Sequence, residues 1–221
     1  MNVSELVSLR LVAPDMKDWE LKDTLTQLRQ EKQVQEVVVL PANLRRAKQL
    51  LAPTTIKIGA VIDYPLGSGT VAKKAFEAGQ AFQEGADFIE LSVNSYTLLE
   101  QADLVAQLED TLRGIAVTWG EIRTRVAAEQ LTEIKKLAIL PRMRELGWKC
   151  LVLEEGDSVA DALHDAETFS FDGGKQLQLQ LNLEQATFSQ LQSLVKTGVT
   201  RVGLRDLGAL DLTAELSTNE G

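Results

Sequence analysis

The feature that most constrains this chain is an alternation: short apolar runs of strand length recur between longer stretches with helical spacing. Strands are expected at 36–40 (EVVVL), 56–62 (IKIGAVI), 87–93 (DFIELSV), 122–127, 150–153 (CLVL), 177–181 (LQLQL) and 201–204. Helices are expected at 44–51, 71–84, 98–112, 132–146, 159–166 and 188–196. Thr70 is placed to cap the helix from 71, and Gly85, Gly147 and Gly198 stand where helices should stop. Pro141 inside the 132–146 pattern predicts a kink. Strands that alternate with helices predict a parallel sheet with helical crossovers. A closed (β/α)8 barrel and an open doubly wound sheet both fit seven clear strands; an eighth is sought near 168–171.

At 221 residues the chain suits one barrel domain, read here as 1–210 with a polar tail over 211–221. The formal charge is −9, from 32 acidic and 23 basic residues, which disfavours a phosphate backbone as partner, so no nucleic acid is expected. No apolar run approaches the roughly 20 residues a membrane span needs. The N-terminus carries no basic-then-apolar signal pattern, and a single cysteine, Cys150, excludes an intramolecular disulfide. A cytoplasmic protein is therefore expected, with a small molecule or a second copy of the chain as its partner. No cofactor motif is present. One histidine, His164, and one cysteine leave little for a transition metal, although a carboxylate-only magnesium site stays open. Asp157, Asp161 and Asp165 recur at helical spacing and read as a solvated face.

The stretch 37–94 resembles deoxyribose-phosphate aldolases. Val38-Val39-Leu40-Pro41 is similar to that family's Cys-Val-x-Pro, and 61–67 (VIDYPLG) to its Val-Ile-Gly-Phe-Pro-Leu-Gly. Lys74 and Glu77 keep its Lys-x-x-Glu spacing, 85–90 (GADFIE) is similar to Gly-Ala-Asp-Glu-Ile-Asp, and Asn94 matches an asparagine four residues on. Downstream, Arg125-Val126 with Glu129, and Arg201-Val202-Gly203, continue the likeness more thinly. The resemblance implies a (β/α)8 barrel with its site at the C-terminal ends of the strands.

It also implies chemistry that this sequence does not support. A Schiff-base aldolase needs a neutral lysine amine at the barrel mouth, a second cation and a carboxylate. Counting back from Gly156, the imine position falls on Val152. The two other site lysines fall on Gln178 and Arg125, and the family's aspartate on Glu90. Its Asp-His-Thr segment falls on Ser8-Leu9-Arg10. The phosphate-binding glycines fall on Leu181 and Asn182, and the serines on Arg205 and Asp206.

Glu90, Arg125, Glu154 and Glu155 are therefore the candidate catalytic groups. Asp63, Asn94, Gln178, Asn182, Arg205 and Asp206 are the candidate substrate-binding ones. Glu90 lies in a buried-looking strand and needs a partner, for which Arg123 or Arg125 is at hand. Glu154 and Glu155 follow a clean strand and stand either at the mouth or in a solvated loop. These residues predict an aldolase-like barrel without Schiff-base activity, acting as a small-molecule-binding or interaction protein. The alternative is a lyase acting on a small sugar or aldehyde through a mouth of Glu90, Glu154, Glu155 and Asp63 that works by general acid–base catalysis or holds a metal.

Overall fold

The computed structural model describes residues 6–29, 34–128, 131–156, 158–173 and 177–205. The elements are β1 (Val7–Leu11), α1 (Asp18–Leu28), β2 (Glu36–Val39), α2 (Leu44–Leu51), β3 (Lys57–Ile62), α3 (Val71–Gln83), β4 (Phe88–Ser92), α4 (Ser95–Glu100), α5 (Ala102–Trp119), β5 (Glu121–Ala127), α6 (Glu133–Glu145), β6 (Cys150–Gly156), α7 (Val159–Gly173), β7 (Gln178–Leu183), α8 (Phe188–Lys196) and β8 (Arg201–Leu204). All strand pairs are parallel and follow chain order, and β8 returns to β1, so the sheet is a closed (β/α)8 barrel.

The eighth strand is β1, not 168–171, which lies inside α7. Its signal is a period of two: Val7, Leu9 and Leu11 alternate with Ser8 and Arg10. Helix α1 was also unforeseen. The pattern expected over 98–112 is two helices, because Gln101 leaves the helical region (φ −115°, ψ 67°) between α4 and α5. Helix α6 runs on through Pro141. The Thr70 hydroxyl caps α3 by accepting from the Lys73 amide at 3.2 Å, as expected.

Two kinds of interior follow from the strand period. One side of each strand meets the helices, and its residues there are aliphatic: Val37, Val39, Ile58, Ile62, Ile89, Leu91, Leu151, Leu153, Leu179, Leu181 and Val202 are all buried in one core with α1–α8. Each such side chain contributes about 1.5–3 kcal/mol when fully buried. The other side faces the barrel axis, and there the residues are largely polar. Val12, Val38, Val61 and Phe88 form the small separate apolar cluster of that interior. Gly59 makes room for it, since a β-carbon there would lie 2.3 Å from the Phe88 ring.

Candidate functional site

The axial residues bond across the barrel rather than along the sheet. Arg123 of β5 donates to both oxygens of Glu36 of β2, at 2.7 and 2.9 Å, and Arg201 of β8 reaches the same carboxylate at 3.2 Å. These strands are not neighbours, so the contacts must pass through the interior. The Arg123 guanidinium also lies 3.6 Å from the centre of the Phe88 ring. Burial is the largest single influence and opposes ionisation of Glu36, but the hydrogen bonds and charges of Arg123 and Arg201 together outweigh it and hold the carboxyl below its ordinary range.

One layer up, Gln180 of β7 accepts from Arg123 at 3.2 Å and donates to Glu90 of β4 at 2.6 Å and to Asn182 at 3.0 Å. The second oxygen of Glu90 takes a hydrogen bond and ion pair from Arg10 of β1. At the C-terminal end, Glu154 Oε2 accepts from Arg125 Nε at 2.9 Å and Asn182 Nδ2 at 3.0 Å. Arg10 Nη2 lies 3.7 Å from that oxygen, and Arg205 lies 3.5 Å from the other. Burial works against ionisation of Glu154, but the charges of Arg10 and Arg125 prevail and depress its pKa. Tyr64 closes this mouth: Arg125 stacks over its ring at 4.6 Å, and Arg205 donates to its hydroxyl at 3.3 Å.

The structure therefore gathers Glu90, Arg125, Glu154, Asn182 and Arg205. It adds Arg10, Gln180, Ser92 and Tyr64, which sequence reasoning did not single out as site residues. The partner of Glu90 is Arg10, not Arg123 or Arg125. The partners Arg10 and Glu90, like Arg123 and Glu36, are three strands apart, and no local spacing reports them. Gln178 does not join the group: it sits at the opposite end of β7 and accepts from Arg201 at 3.1 Å. The inward glutamine of the middle layer is Gln180, two residues on. A shift of two preserves strand parity, so composition alone could not detect it. Asn94 is used as the cap of α4, accepting from the Tyr96 and Thr97 amides at 2.9 and 3.4 Å. The side chain of Glu155, and all of Asp206 and Glu129, lie outside the described residues. Val152 is buried beneath Glu154 on the same side of β6.

Asp63 also leaves the expected group. It holds a left-handed backbone (φ 53°) and turns to α3, where it accepts from Lys73 at 2.6 Å, from the Gly69 amide at 2.7 Å, and from Lys74. Its burial favours the neutral acid, but the lysine hydrogen bonds win and lower its pKa. Lys74 is a buried lysine at this end of the barrel. Its amine also donates to the Ser92 carbonyl at 2.8 Å, and burial lowers its pKa despite Asp63. Through Ser92, whose hydroxyl accepts from Arg125 at 3.4 Å, Lys74 touches the edge of the axial network. Among the described residues of the alternative carboxylate mouth, Glu90 and Glu154 are each paired with arginine, and Asp63 with lysine.

Away from the mouth, the described residues contain one acid-and-histidine group, Glu133, His164 and Asp165. Asp165 there is buried and bonded to Lys136 at 2.8 Å, so it is not the solvated residue its spacing suggested. Among the described residues, no helix is long and apolar enough to cross a membrane.

Fold and axial network together define a (β/α)8 barrel whose polar interior is cross-linked by arginine–carboxylate pairs. The chain is similar along its whole length to deoxyribose-phosphate aldolases. It is 26% identical over 223 residues to the deoxyribose-phosphate aldolase of Streptococcus pneumoniae (strain 70585), covering all of both chains. Among solved structures, QR15, an aldolase, superposes with a TM-score of 0.86 at 17% identity, covering 99% of each chain. The deoxyribose phosphate aldolase of Aeropyrum pernix gives 0.77 at 13% identity, covering 92% of this chain and 86% of the other. No family model matches the chain.

Proposed function

We propose that this deoxyribose-phosphate-aldolase-like barrel does not form a Schiff base, and that it binds a small molecule at its mouth without aldol chemistry. One observation carries the reading. The buried interior position from which an imine lysine would reach a carbonyl holds Val152, and the level beside it is filled by Arg10, Glu90 and Gln180 bonded to one another. An arginine stays protonated at any ordinary pH and supplies charge without a nucleophile. The carboxylates that could replace lysine chemistry are already neutralised by guanidinium groups, which disfavours both a metal and a free general base.

The test is reduction by borohydride in the presence of a short aldehyde such as acetaldehyde, followed by intact-mass measurement. The expected result is an unmodified chain after reduction, with a known Schiff-base aldolase labelled in parallel. A stoichiometric reduced adduct would overturn the reading, and Lys74 is the first residue on which to locate it.

A further inference from the structure

We infer that the mouth is a receptor for a small monocarboxylate and that Glu154 occupies it as the protein's own stand-in ligand. This rests on the reading of the barrel as a small-molecule binder. Donors from four strands or their ends converge on one carboxyl group. Arg125 Nε and Asn182 Nδ2 bond the same oxygen at 2.9 and 3.0 Å, Arg10 Nη2 stands 3.7 Å from it, and Arg205 Nη2 lies 3.5 Å from its partner oxygen. Guanidinium and amide donors of this kind suit an oxyanion such as a carboxylate.

A second observation concerns Arg10, which pairs with Glu154 in charge at 3.7 Å without a hydrogen bond. Arg10 has a side chain with no solvent exposure, yet its Nε and Nη2 have no hydrogen-bond partner. A buried guanidinium with unused donors is costly, so these atoms are set for an acceptor that Glu154 does not reach. Glu154 also sits where β6 departs from regular register, between Glu154 and Gly156. With 13% side-chain exposure it is open to competition from solution.

Charge selects the class of ligand. Arg10, Arg125 and Arg205 face Glu90, Glu154 and Glu184 in direct ion pairs, and these described groups balance. If Glu154 swings out, a single positive charge remains. A monocarboxylate restores neutrality, whereas a phosphate dianion would leave a buried negative charge.

The experiment measures thermal unfolding and calorimetric binding of the full chain with sodium acetate, sodium phosphate and sodium chloride at equal ionic strength. The parent is compared with Glu154→Gln, which keeps the shape but removes the internal anion. Acetate should bind Glu154→Gln at least about tenfold more tightly than the parent, because its competitor is gone. Adding Arg205→Gln to that variant should weaken the binding. If Glu154→Gln does not fold in chloride, recovery of folded protein on adding acetate supports the receptor, and no recovery overturns it. An acetate response in folded Glu154→Gln no larger than that of chloride also overturns it, and a preference for phosphate overturns the monocarboxylate assignment. The borohydride result is independent of these outcomes, so loss of the receptor leaves the non-aldolase reading standing.

Discussion

Removing the charge of Glu90 tests the axial network most directly. Both Glu90 and Arg10 have side chains with no solvent exposure; Glu90 is hydrogen-bonded to Arg10, while Glu154 makes only a longer ion pair with it at 3.7 Å. Glu90→Gln keeps the volume but turns one acceptor into a donor. Its amide would then face either Arg10 or the Gln180 amide, which donates to Glu90 at 2.6 Å, and both of those are donors. Breaking one half of a buried ion pair costs about 3–5 kcal/mol, because the surviving charge stays desolvated. At roughly 2–4 °C per kcal/mol for a chain of this size, the melting point should fall by on the order of 10 °C. Urea unfolding followed by circular dichroism gives the free energy, with Arg10→Met and the double variant completing a cycle. The double variant should recover most of the loss, since it removes the stranded charge as well. A Glu90→Gln chain within about 1 kcal/mol of the parent would mean that Arg10 is hydrated inside the barrel, and the argument from desolvation would fail.

Other consequences follow from single contacts. Gly203→Ala should cost about 1–3 kcal/mol by urea titration, because its β-carbon would stand 2.2 Å from Asn182 Oδ1 and 2.6 Å from Arg10 Cδ, both tightly held. Burial raises the Cys150 thiol to about 12, so a thiol reagent at neutral pH should label the chain only after denaturant is added. Native labelling at the rate of a free thiol would refute its placement. Glu36, Asp63 and Glu154 all have folded pKa values below their ordinary ones. Their stabilisation is present above the ordinary carboxylate values and lost as pH falls past them toward the folded ones. Glu36→Gln should therefore flatten the acid limb of a stability–pH curve while lowering stability at neutral pH. A parallel downward shift of the whole curve would contradict this.

The alternation of strand and helix was legible in the residues because each strand needs an aliphatic side toward the helices, whatever its other side does. This placed seven of the eight strands and the cap at Thr70. Glu90, Arg125, Asn182 and Arg205 were candidates because the family resemblance puts its site positions on them, and Glu154 because it follows a clean strand. Strand β1 went unread because five residues with an arginine and a serine facing inward carry only a short period-two signal.

Strand and helix spacing left closure of the sheet open; the resemblance implied it, and the structure has it. The choice of partners across the axis was decided by the tertiary structure alone: Arg10 for Glu90, Arg123 for Glu36, and Gln180 rather than Gln178 as the bridge between them. A sequence sets which side chains share a face of an element, because that depends on neighbours two residues away in a strand and three or four in a helix. Which faces meet across a barrel depends on strand number and stagger. These are properties of the closed sheet, so the pairing of charges in its interior exists only once the eighth strand has met the first.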